Sequence, residues 1–162
     1  MSENTILEKV NGLWFYGLAG SGKTYASEFV SQRIVSAFVI DGDAVRKYVS
    51  VDLGYSAEDR NIQISRIFGI GHIALENGMF PIMSSVTMTN DLLKLCQNLA
   101  ISVIRIDRPF EQVKAVRTLY DGQENVVGLD MSLQELDSLT FVNDGTENFN
   151  RELMSYAKGI TA

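Results

Sequence analysis

Short apolar runs alternate along this chain with stretches of helical period. The runs Leu13–Tyr16, Ala37–Ile40, Phe80–Met83, Ser102–Ile106 and Leu139–Val142 show little internal alternation, as strands covered on both faces do. Between them, Ala26, Phe29, Val30 and Ile34 share one helical face, as do Ile64, Ile67, Phe68 and Leu75. Leu92, Leu95, Cys96 and Leu99 make a third such face, and Leu153, Tyr156, Ala157 and Ile160 a fourth. Asp107-Arg108-Pro109 predicts a strand end followed by a helix with proline in its first turn. Asp144-Gly145-Thr146 predicts the start of a last helix at Glu147. The alternation predicts an α/β fold, a five-stranded parallel sheet in three α/β/α layers with ligands at the carboxyl ends of the strands. No repeat or linker interrupts it, so one domain over residues 1–162 is expected.

Composition narrows the class. An apolar share of 46% with 21% charged residues can supply a core. The net charge of −6 argues against a nucleic-acid partner, which calls for a basic stripe. A small polyanion is not excluded, because local geometry holds phosphates. Cys96 is the single cysteine, which rules out an internal disulfide and fits a reducing compartment. Met1-Ser2-Glu3-Asn4 has no basic region leading into an apolar run, and no apolar stretch approaches the ~20 residues that span a bilayer. A cytoplasmic protein without a membrane partner is expected; a homodimer stays open.

Gly17-Leu18-Ala19-Gly20-Ser21-Gly22-Lys23-Thr24 matches the P-loop pattern G-x-x-x-x-G-K-[ST] in full. Gly17, Gly20 and Gly22 let the backbone curl so that N–H groups, including that of Ser21, face phosphate oxygens. Lys23 reaches the terminal phosphates and Thr24 offers a hydroxyl to Mg²⁺. An apolar run precedes the pattern and a helical stretch follows, which is the context it requires. A glycine-rich turn without a nucleotide is the alternative. The expected ligands are ATP and Mg²⁺ in a P-loop NTPase domain.

Asp41-Gly42-Asp43 follows the second apolar run, which puts two carboxylates at the rim that carries the P-loop. An aspartate there can orient or deprotonate an attacking hydroxyl, or hold Mg²⁺ through water. Asp43, before Ala44-Val45, equally suits a helix cap.

With these residues in view, the chain resembles the adenylylsulfate kinases, which use MgATP to phosphorylate the ribose 3′-hydroxyl of adenosine 5′-phosphosulfate. The matching stretches are Gly17–Thr24, Asp41–Arg46 and Asp52–Arg60. Weaker echoes lie at Ile106–Pro109, Leu119-Tyr120, Gly128–Asp130 and Asn143-Asp144. The resemblance implies a catalytic Asp41 acting with Lys23, and Asp43 beside it. It implies that Arg46 and Arg60 grip the acceptor's anionic and ribose region, and that Tyr55 stacks on the acceptor base in place of a phenylalanine.

Departures from the family fall on the acceptor side. Gln63 stands where the family has asparagine, and Ser84-Ser85-Val86-Thr87-Met88 replaces a run containing proline. Val126 stands where a second stacking aromatic is usual, and Asp121–Asn125 is a shorter lid without lysine or arginine. Lys114 and Arg117 remain near it as cations. Some capsule-associated relatives phosphorylate a cytidine diphosphoramidate, and Asn125–Gly128 is similar to that branch. Ser84 and Ser85 either contact ligand at a strand end or satisfy a turn. His72 and Cys96 read as helix packing, and Trp14, Phe15 and Tyr16 as core. Three functions remain: a nucleotide kinase, a nucleotide-binding module without catalysis, and a small-metabolite kinase sharing only the P-loop.

Overall fold

A computed structural model of the chain describes residues 9–117 and 124–161. In chain order the elements are β1 (Gly12–Tyr16), α1 (Lys23–Ser31), β2 (Ala37–Ile40), α2 (Gly42–Tyr48), α3 (Ala57–Glu76) and β3 (Phe80–Ser85). They continue with α4 (Asn90–Asn98), β4 (Ile101–Asp107), α5 (Phe110–Val116), β5 (Leu139–Val142) and α6 (Glu147–Thr161). The five strands form one parallel sheet in the order β2-β3-β1-β4-β5.

Side chains alternate across a strand, and β1 shows why its apolar run does not. Trp14 and Tyr16 join Ile64 and Ile67 of α3 and Leu92, Leu93 and Cys96 of α4 in one core. Leu13 and Phe15 face the other way, into Ala26 and Val30 of α1 and Phe149, Leu153 and Ala157 of α6. All four β1 side chains are fully buried, each contributing roughly 1.5–3 kcal/mol. Their polar ends are satisfied: Trp14 Nε1 donates to Ser85 Oγ and Tyr16 OH pairs with Ser138 Oγ, both at 2.8 Å.

Several expectations need adjusting. Strand β3 runs on through Ser84 and Ser85, both buried, rather than ending at Met83 in a turn. Leu93, not Leu95, completes the inner face of α4. Phe38 and Val39 are exposed because β2 is an edge strand. Pro109 caps α5 instead of lying within its first turn. Helix α2 carries no long apolar periodicity and is started by its cap. No described helix is long and apolar enough to cross a membrane.

Candidate active site

The carboxyl ends of the strands surround a cavity of about 740 Å³. It brings together Gly20, Gly22, Lys23 and Thr24 of the P-loop, Asp41 and Asp43, and Ser84. From the α2–α3 side come Arg46, Tyr55, Arg60 and Gln63, and from the far loop Val126. Gly17 and Ser21 shape the P-loop from behind this lining.

In the P-loop, Gly20 and Gly22 adopt φ of 84° and 107°, values that side-chain-bearing residues avoid. Lys23 Nζ donates to Gly17 O and Leu18 O, both at 2.9 Å. Burial lowers the Lys23 ammonium to about 8, against the pull of Asp43 and Asp41 and with help from Arg117. A cation held with so little solvation next to a glycine curl has the chemistry to receive a phosphate polyanion.

The acidic turn departs from expectation in its cap. Asp41, not Asp43, caps α2: its Oδ2 accepts from the N–H groups of Asp43 and Ala44, both at 3.2 Å. Its Oδ1 accepts from Ser84 Oγ at 3.0 Å and from Thr24 Oγ1 at 3.4 Å. Ser84 Oγ also accepts from Gly42 N at 3.3 Å, so β3 and α2 are tied at the carboxylate. Any side chain at position 42 would put a Cβ 2.6 Å from Ser84 O, which leaves room only for glycine. Thr24, Asp41 and exposed Asp43 offer hard oxygen donors of the kind a Mg²⁺ ion takes. No group of three or more metal-ligating side chains occurs among the described residues, and Mg²⁺ commonly completes its shell with phosphates and water.

On the α2–α3 side, Arg46 Nη1 donates to Gly54 O at 2.6 Å. Arg60 donates through Nε to Tyr55 O at 3.1 Å and through Nη2 to Asn125 O at 2.8 Å. Both guanidiniums lie over the Tyr55 ring, at 4.4 and 5.5 Å from its centroid. Neither forms an ion pair among the described residues. Two cations whose hydrogen bonds among the described residues go to carbonyls are equipped to take an anion in bidentate fashion. Gln63 Nε2 donates to Gly42 O at 2.9 Å, bracing the acidic turn from α3. Val126 packs with Val113 and partly buried Leu18 and Phe110, and is 4% exposed. Its loop is closed by the Asp130 carboxylate, which accepts from Asn125 N at 2.7 Å and Val126 N at 2.6 Å.

Arg117 reaches the cavity beside Gly20, whereas Lys114 is exposed and away from its lining. Leu119, Tyr120 and the lid positions Asp121, Gly122 and Gln123 lie outside the described residues. Cys96 is fully buried, and burial pushes its thiol up to about 12, which disarms it as a nucleophile. His72 is half-exposed, its ring 5.8 Å from that of Phe68 and 4.0 Å from Glu76, and it is not among the residues that line the cavity. Two residues that the sequence offers only within weak family echoes, with no role attached, also hold the P-loop: Arg108 donates to Gly20 O at 2.9 Å and Asn143 to Ser21 O at 2.7 Å. Both directly follow strands, where ligand-proximal residues of such sheets gather.

A family model described as adenylylsulphate kinase matches residues 9–122, more than half of the chain. An adenylyl-sulfate kinase of Picosynechococcus is 37% identical over 79 residues, covering 46% of this chain and 45% of that protein. Another, from Lactiplantibacillus plantarum, is 31% identical over 118 residues, covering 67% and 57%. The chain spans about half the length of the curated relatives it matches. Among solved structures, the Mycobacterium tuberculosis APS kinase in complex with AMPPNP and APS aligns with a TM-score of 0.82 at 20% identity, over 95% of this chain and 99% of that one. That likeness establishes the P-loop NTPase fold, and with the family match over residues 9–122 the chain belongs to the adenylylsulphate kinase family.

Proposed function

We propose that this protein is an ATP-dependent kinase of a nucleotide ribose 3′-hydroxyl, with adenosine 5′-phosphosulfate as its acceptor. One observation carries the reading. The Asp41 carboxylate accepts from Thr24 of the P-loop and lines the same cavity as the Arg46–Tyr55–Arg60 group. A donor site and an anion-plus-aromatic site therefore share one candidate base.

The donor triphosphate lies against Gly17–Thr24, with Lys23 on its terminal phosphates. Thr24, with Asp41 and Asp43, would hold Mg²⁺, which when bound offsets charge on the transferring phosphoryl group. Arg46 and Arg60 bind the acceptor's phosphosulfate, and the Tyr55 ring supports its base. Asp41 orients the hydroxyl and accepts its proton as the oxygen attacks in line. Ser84, donating to Oδ1, holds that carboxylate in place. Arg117 adds positive charge on the P-loop side.

Val126 supports a second acceptor. A branched aliphatic side chain gives less stacking surface than a ring, which suits the smaller base of a cytidine diphosphoramidate. The protein acts as one cytoplasmic domain on small molecules, without nucleic acid or membrane. Purified protein with MgATP and each acceptor in turn is expected to yield ADP and phosphorylated acceptor in equal amounts. Binding of ATP without transfer to either acceptor would replace this reading with that of a non-catalytic module.

A further inference from the structure

The P-loop is shaped by contacts from outside its own sequence. Gly20 O accepts from Arg108 Nη1 past the end of β4, and Ser21 O accepts from Asn143 Nδ2 just past β5. Asn143 is itself fixed at both ends. Its N–H donates to Asp107 O at 2.7 Å, and its Oδ1 accepts from Gly145 N at 3.2 Å. A carbonyl on one side of the amide and an N–H on the other leave one orientation for the side chain, with Nδ2 toward Ser21.

The consequence follows from peptide geometry. A trans peptide is planar with its N–H opposite its C=O. Holding Ser21 O outward therefore turns the Gly22 N–H the other way, at a residue that lines the cavity and caps α1. Asn143 also occupies the space a side chain at position 22 would need, since a Cβ there would lie 2.5 Å from Nδ2. Glycine at 22 thus answers to the neighbouring asparagine as well as to its own φ of 107°.

We propose that Asn143 is a positioning residue for the donor phosphates, acting through the Ser21–Gly22 peptide; this rests on the donor-site reading above. It touches no reacting atom. Its effect belongs to the affinity for the triphosphate rather than to acceptor recognition.

The test uses the whole chain and AMPPNP with Mg²⁺, titrated by calorimetry without acceptor. Asn143→Asp is nearly isosteric and keeps the acceptor for Gly145 N–H while removing the donor to Ser21 O. Asn143→Ala removes both without adding charge. Both variants are expected to bind AMPPNP roughly tenfold more weakly, with unchanged melting temperatures in the absence of nucleotide. In turnover the loss should fall on the KM for ATP and spare the KM for acceptor. A wild-type protein that binds no nucleotide would remove the donor-site reading itself. Wild-type binding matched by both variants would overturn the role of Asn143 alone. So would a weakening that only accompanies a drop in melting temperature in both variants, because the residue would then be a support of the fold.

Discussion

The guanidinium of Arg46 lies 4.4 Å from the centroid of the Tyr55 ring, over its face, and both residues line the cavity, where the proposed function puts the acceptor. Tyr55 is 57% exposed, so this stack is displayed to ligand rather than packed away. Tyr55→Phe keeps the ring and should leave acceptor KM within about twofold, whereas Tyr55→Ala should raise it roughly tenfold. Steady-state kinetics with acceptor varied will check this, and the KM for ATP should not move. Arg46→Ala is expected to weaken acceptor binding by a similar or larger factor.

Asp41 joins two roles that substitution can separate. Asparagine caps a helix about as well as aspartate, but cannot take a proton. Asp41→Asn should therefore melt like wild type while transfer falls by at least a hundredfold or so. Asp41→Ala should lose both, with about 1 kcal/mol of stability going with the cap. Equal melting of the alanine and asparagine variants would argue against the cap.

Nucleotide binding should draw protons from solution near pH 8. Lys23 titrates at about 8 in the fold, and a bound polyanion favours its charged form. Roughly half a proton per site should be taken up at pH 8 and almost none at pH 6.5, read from binding enthalpies in buffers of different ionisation heat. The stability trend has its own sign. The folded value lies below the unfolded 10.5, so the unfolded chain holds more protons between the two and stability rises with pH across that window. Nucleotide affinity moves in the opposite direction there.

The Asp130 carboxylate is held below its ordinary range by the N–H groups of Val126 and Asn125. A lowered folded value means its stabilisation is present above about pH 4 and is lost as pH falls through that value. Asp130→Ala should loosen the loop that carries Val126 and the carbonyl partner of Arg60. The expected outcome is a severalfold higher acceptor KM with ATP binding intact. A rise in the KM for ATP of the same size would assign the loop to the donor side instead.

Much of this arrangement was legible in the sequence because its signals are local. The strand runs stand out because both sheet faces are covered, and the P-loop because phosphate contact needs glycine at Gly20 and Gly22. Helix α2 was legible only through a candidate cap, since a seven-residue helix started by the Asp41 cap needs little apolar periodicity. Cap and candidate base then fell on the same side chain, and sequence had given those roles to Asp43 and Asp41 separately. The roles of Arg108 and Asn143 were not legible because their contacts with Gly20 and Ser21 span 88 and 122 positions. Partners that distant leave no spacing to read. Their positions directly after β4 and β5, and the family echoes that contain them, were the available signals.

That distance also sets an order of events in folding. Residues 17–24 leave the ribosome early, yet Ser21 waits for a partner near the end of the chain. The β1 strand beneath the loop pairs with β3 and β4, both encoded well downstream of it. Closing such long loops is entropically slow. The family match ends at residue 122, short of Asn143. A nascent or truncated chain of that length would carry every letter of the motif, but its cradle would still be missing the anchor on Ser21.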